Sequence, residues 1–269
     1  MININDRKTR IIIGLVLVSI LAGLLIYRDT RNSKEEGGNN ATSTGSTLGE
    51  TGISMIGDGK VEIVPLSERK LPKAPSLVRG TDYPSTVAPE VKTIVLSQMS
   101  KTIEQIRTNN QDINAWVMLG VQRKTIGDYE GAREAWDYAK VLAPNEVVAY
   151  NNLGDLYHYY LKDFKKSEEN WKKTIAIKSD YVQGYRGLVD LYKYSMTEKL
   201  GETPTLLKSG IVKNPDSVDL MVMLARYYLD AGDMIMAKEA YGKAIATSER
   251  INNDASVTET LKQELAGIK

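Results

Sequence analysis

The 269-residue chain has no cysteine, which excludes disulfides, thiolate nucleophiles and Cys-ligated zinc or iron–sulfur sites. It has a single histidine, His158, so Ser-His-Asp triads and His-rich metal sites have almost nothing to work with. No sign of charge dominates: 35 Lys and Arg stand against 34 Asp and Glu, a formal net charge of +1. A balanced chain has no global pull toward nucleic acid, and a binder of that kind needs a local basic stripe. These shortages set aside the commoner enzyme classes before any motif is read. The length allows one or two domains.

Long uncharged runs are also scarce, with one exception. Ile11 to Tyr27 is an apolar stretch of 17 residues, preceded by Arg7, Lys8 and Arg10 and followed by Arg28, Asp29 and Arg31. A bilayer-spanning helix needs about 17–25 such residues. A cleaved signal peptide and a buried core helix compete with a retained anchor. The run ends Leu-Leu-Ile-Tyr-Arg without small residues before a cut site, and it is apolar all round. It therefore predicts a single-pass transmembrane anchor at 11–27 behind a basic tail at 1–10. The basic tail sets the N-terminus in the cytoplasm and the bulk of the chain outside it.

Residues 28–60 are rich in Gly, Ser, Thr and Asn and predict a disordered linker, because they cannot bury enough apolar surface to offset the entropy of ordering. Gly57-Asp58-Gly59-Lys60 ends like a phosphate loop but lacks the earlier Gly and the following Ser or Thr, so no nucleotide site is expected. Five of the eight prolines fall within 61–89; Val61-Glu62-Ile63-Val64 has the pattern of a short strand, but the prolines predict an extended segment, either a spacer or a strap laid on the folded part.

From Glu90 onward the apolar pattern is helical. Val91, Ile94, Val95, Ile103 and Ile106 predict a helix over 90–108. A repeat follows: Trp116-x-x-Leu119-Gly120, Tyr150-x-x-Leu153-Gly154, Tyr185-x-x-Leu188-Val189 and Met221-x-x-Leu224-Ala225. Each is followed by a small and then a bulky residue: Ala132/Trp136, Ser167/Trp171, Thr203/Leu207 and Ala237/Tyr241. At these residues the chain resembles the tetratricopeptide repeat family. The step from each bulky residue to the next repeat start is 14 residues in all three cases. Within a unit the step from first to second small residue is 12, 13, 14 and 12. Length therefore varies only between the two helices of a unit, as expected where the stacking turn is constrained and the hairpin tip absorbs insertions.

The fold expected is an all-α, right-handed solenoid of helical hairpins over 90–269. Its repeats are 113–146, 147–181, 182–217 and 218–251. Ser256-x-x-Glu259 reads as a capping box for a terminal helix at 254–268, with Val257, Leu261, Leu265 and Ile268 as its apolar stripe. Thr203-Pro204 reads as the cap and first residue of the second helix of unit three.

In the resembled family the first helix of each unit lines a concave surface. Carried over, that implies a binding face of Asn151, Asp155, His158, Tyr159, Arg186, Asp190, Lys193 and Arg226. Tyr194 joins them because it, like Tyr159, falls off the repeat-defining positions. The mixed signs suit a peptide or protein segment better than a phosphate backbone. Val117 and Val121 occupy the places where a carboxylate-clamp version of the family grips chaperone C-termini, so that ligand is not expected. No catalytic residue, metal, cofactor, nucleic acid or small-molecule substrate is expected. The function implied is a membrane-tethered scaffold in envelope assembly or complex maturation. The alternatives are a non-catalytic or substrate-positioning module of an envelope enzyme, and a cytoplasm-facing docking platform.

Overall fold

A computed structural model describes residues 71–80, 87–251 and 254–269, together with the backbone of 51–55 and 61–65. Two compact units are present: residues 1–74 with 83–98, and residues 75–82 with 99–269.

In the first unit, β1 (Thr51–Met55) pairs antiparallel with β2 (Val61–Pro65), with Ile53 opposite Ile63 and Met55 opposite Val61. This hairpin departs from the expected all-α class and from a linker running unbroken through 28–60. β2 falls on the short strand pattern of Val61-Glu62-Ile63-Val64, while at β1 the surrounding Gly and Ser obscure the alternation in a composition-based reading.

The helices are α1 (Pro89–Thr108), α2 (Ile113–Thr125), α3 (Tyr129–Leu142), α4 (Val147–Leu156), α5 (Phe164–Ile177), α6 (Val182–Tyr194), α7 (Thr203–Lys213), α8 (Val218–Asp230), α9 (Met234–Arg250) and α10 (Ala255–Ala266). In the second unit they pack as successive hairpins, α2/α3, α4/α5, α6/α7 and α8/α9, closed by α10 against α9. The fold is a helical-hairpin solenoid. Trp136 is buried against Gly120, where an added Cβ comes within 2.3 Å of the indole. Trp171 is buried between Gly154 of its own unit and Gly187 of the next. The glycines let helix backbones approach closely, and the indoles fill the space that remains.

Aspartates start many of these helices. Asp112, Asp128, Asp163 and Asp233 each accept a backbone N–H three residues on, at 2.9–3.1 Å. Such a cap satisfies one otherwise orphaned donor at the helix start. Gly127 and Gly232 precede two of these aspartates with φ of +83° and +78°. Lys162 takes the same left-handed place before Asp163, with φ of +57°. A non-glycine residue there costs roughly 1–2 kcal/mol.

The variable spacing between the small residues has a structural explanation. Unit two carries one residue more than unit one, and α4 ends in a π-helical turn, Tyr157–Leu161, that holds it. A π turn is an α turn widened by one residue. In unit three the additional residues form a 3-10 helix, Thr197–Glu202, which runs directly into α7. Thr203 is consequently the first helical residue, not a cap, and no side chain caps that helix. The terminal helix is capped by Asp254, which accepts from Ser256 N at 2.8 Å, and not by Ser256. Leu261 and Ile268 are buried but Val257 is exposed, its expected inward place taken by Thr258.

Ser76, Leu77 and Arg79 contact α2, α3 and the turn between them. Arg123 is 2% exposed, and its guanidinium donates to Gly131 O at 3.1 Å, Ser76 O at 2.7 Å and Leu77 O at 3.3 Å. Arg79 adds ion pairs to Asp128 at 3.2 Å and Glu134 at 2.5 Å.

The expected localisation as a single-pass membrane protein requires correction. Among the described residues no helix is long and apolar enough to cross a membrane. The tail at 1–10, the run at 11–27 and the Gly-Lys sequence at 57–60 lie outside the described residues.

Candidate functional site

The first helices α2, α4, α6 and α8, with α10, carry a succession of polar contacts from one unit to the next. Lys124 pairs with Asp155. The Tyr159 hydroxyl donates to Asp190 at 3.5 Å. Arg186 pairs with Asp219 at 2.9 Å, Lys193 with Asp230 at 2.7 Å and Arg226 with Glu264 at 2.8 Å. Exposed pairs of this kind contribute about 0–1 kcal/mol each. Their consequence is positional, since each fixes a long side chain in one place along the face.

Between α6 and α8 the face opens into a cavity of about 330 Å³. Helix α6 lines it with Arg186, Val189, Asp190, Lys193 and Tyr194. Helix α8 contributes Asp219, Met223, Arg226, Tyr227 and Asp230. Leu200 and Thr203, from the 3-10 segment and the start of α7, and Ala231 complete the wall. The residues on each helix recur at intervals of three and four, which places them on one side of it. The volume is at the lower end of ligand-sized pockets.

Burial raises the Asp190 carboxyl above its ordinary value, against the opposing pull of Arg186, His158, Tyr159 and Lys193. Burial, followed by the negative charge of Asp190 and Asp155, pushes the Tyr159 phenol up to about 12. Tyr159 therefore stays protonated and remains a donor at neutral pH. Tyr194 is 67% exposed, a large aromatic surface at the rim.

The structure brings five of the nine sequence-derived residues together at the cavity: Arg186, Asp190, Lys193, Tyr194 and Arg226. Asn151, Asp155 and Tyr159 belong to the preceding unit and do not line it. His158 is not a surface residue. It is 2% exposed, with Nε2 2.9 Å from Ser195 Oγ and its ring edge-on to Trp171 at a centroid distance of 5.6 Å. The widened turn shifts the register of the residues it contains, and His158 comes to lie over the Trp171 indole. Burial lowers its pKa, so the imidazole is neutral. Asp219, Tyr227 and Asp230 were not singled out from sequence. A signal existed: Asp219 and Asp230 follow Arg186 and Lys193 by 33 and 37 residues, about one repeat length.

Among the described residues no group of three or more His, Cys, Asp or Glu is placed to hold a metal ion. On α5, Lys166 pairs with Asp163 at 2.8 Å and Lys172 with Glu168 at 2.6 Å.

Residues 218–250, which span α8 and α9, match the tetratricopeptide repeat family. The crystal structure of MamA is similar to this fold, with a TM-score of 0.50 at 16% identity, covering 61% of this chain and 94% of that one. TTC0263, a thermophilic tetratricopeptide protein of Thermus thermophilus, aligns with a TM-score of 0.45 at 15% identity over 66% of this chain and 97% of its own. YrrB, described as a tetratricopeptide protein with an unusual peptide-binding site, aligns at 0.43 and 14% over 62% of this chain and 92% of its own. No curated protein sequence is a match. The family match and the MamA likeness together establish a tetratricopeptide-type fold.

Proposed function

We propose that the solenoid is a non-catalytic scaffold that binds an extended segment of a partner protein along the face of α4, α6 and α8. One observation carries this reading. The cavity between α6 and α8 combines charges of both signs, an apolar lining and an exposed tyrosine at its rim. Aromatic and cationic side chains around a concave, partly apolar surface are the composition of protein-binding sites. The inter-unit ion pairs are solvent-accessible, so a partner's backbone and side chains can exchange with them at little cost. A segment with both polar and apolar residues matches that lining better than a uniformly charged polymer does.

The test is site-specific photo-crosslinking in cells that make the protein. A photo-reactive phenylalanine at position 194 is compared with one at position 212, where Val212 is 75% exposed on α7 and does not line the cavity. The expected result is a discrete adduct from 194 that is absent from 212. The partner so identified should bind the purified chain, and more weakly when Tyr194 is replaced by Ala. Equal capture from both positions, or none from 194, rejects the assignment.

A further inference from the structure

The cavity lining carries three cations and three carboxylates, but Arg226 is paired outside it, with Glu264, which leaves one lining carboxylate without an ion pair. Arg186, Lys193 and Arg226 are matched by Asp219, Asp230 and Glu264 at 2.7–2.9 Å. Asp190 is that carboxylate. Among the described residues it has no ion pair, and its hydrogen bond is the long one from Tyr159 at 3.5 Å. A second group in the same wall is also unsatisfied. Thr203 is 1% exposed, and its Oγ1 has no hydrogen-bond partner. Buried polar atoms without partners are uncommon, and each leaves a desolvation cost that a suitable hydrogen-bond partner removes.

We propose that this cavity receives the lysine or arginine side chain of the bound partner segment, with its aliphatic stem against Val189 and Met223 and its cationic head against Asp190. The proposal rests on the peptide-binding reading above and specifies which side chain that site selects. Three alternatives fit less well. An apolar side chain leaves Asp190 further dehydrated and still without an ion pair. An anionic one meets Asp190, a carboxylate that has no ion pair among the described residues. A backbone carbonyl can accept from the Thr203 hydroxyl but supplies no donor to Asp190. Long cationic side chains carry enough apolar stem to cover the lining while their heads reach a carboxylate. The raised carboxyl of Asp190 is consistent with a group whose counter-charge arrives with the ligand.

The experiment uses the immobilised full-length chain and two nonapeptide pools. Both are random, without Lys, Arg or His, except for a fixed central residue. That residue is lysine in one pool and norleucine, which keeps the stem and removes the charge, in the other. Wild type should retain the lysine pool about tenfold more than the norleucine pool, the factor that 1.4 kcal/mol represents. The near-isosteric Asp190→Asn variant should lose that preference and still unfold in a single cooperative thermal transition. A photo-reactive residue at 194 should crosslink the lysine pool, which locates binding independently of the variant's stability. Equal retention of both pools by wild type, or a preference that survives Asp190→Asn, overturns the proposal. If both pools are retained equally and both crosslink from 194, the lysine assignment falls and the peptide-binding reading stands. If the lysine pool crosslinks from 212 instead, both fall.

Discussion

The same substitution, Gly to Ala, should have opposite effects at two helical positions. At Gly187 in α6, an added Cβ falls 2.2 Å from Trp171 Cε2 and 2.6 Å from Cδ2 and Cζ2. Those atoms belong to a rigid fused ring, buried, with Gly154 of the preceding helix on its other side, where a Cβ would lie 2.6 Å from Nε1. The ring therefore cannot turn aside, and α5 and α6 must separate by more than an ångström to restore van der Waals contact. Overpacking on that scale costs about 1–3 kcal/mol, and here the upper end applies. Alanine returns up to about 1 kcal/mol of helix propensity. The net loss is about 2 kcal/mol. At Gly242 in α9 no heavy atom lies within 4 Å of the added Cβ, so the propensity gain stands alone at about 1 kcal/mol. The two variants should differ by about 3 kcal/mol in urea unfolding followed by far-ultraviolet circular dichroism, with unchanged slopes. In the Gly187→Ala background, Trp171→Phe should cost less than it does in wild type, because the smaller ring relieves the contact. If Gly187→Ala unfolds within about 0.5 kcal/mol of wild type, the interlocking of Trp171 with its two glycines is wrong.

Two further perturbations test other parts of the solenoid. Burial opposes ionisation of Glu168, but hydrogen bonds from Lys172, Lys199 and Tyr192 outweigh it and hold the carboxyl at about 2. With the folded pKa below the unfolded value of about 4.5, its contribution is complete above pH 4.5 and is lost as the pH falls toward 2. Glu168→Gln should therefore lower stability by about 1–2 kcal/mol at pH 7, discounted for the water that reaches Lys172, and should flatten the stability profile between pH 4.5 and 2. An unchanged profile on acid titration would contradict it. Arg123→Met removes the guanidinium that holds Ser76 O and Leu77 O, so tryptic cleavage after Arg79 should accelerate several-fold while α5–α9 keep their protection in hydrogen exchange. Cleavage at the wild-type rate would show that the strap is held by other contacts.

The repeat itself was legible from residue type and spacing. Small residues at 120 and 154 and indoles at 136 and 171 recur at hairpin intervals, and hydrophobic burial with close packing leaves such a pattern few other solutions. The cavity was half legible. Arg186, Asp190, Lys193 and Arg226 follow from the resemblance, which implies that the first helix of each unit lines the concave face, and Tyr194 from its place off the repeat positions, while their opposite numbers on α8 depend on how far one helix slides along another. His158 shows the limit most clearly. It shares a nominal helix face with Asp155, yet an inserted residue taken up as a π turn carries it into the core beside Trp171 and Ser195. Thr203 has the residue type of a cap, but the 3-10 helix before it occupies the place a cap would take, and its hydroxyl is left buried without a partner. Periodicity, caps and the knob-and-notch pattern are local properties of a few neighbouring residues. Where an insertion is absorbed, which charge meets which, and which polar atom goes without a partner are settled by contacts between residues some 30 positions apart, and only the packed chain brings those together.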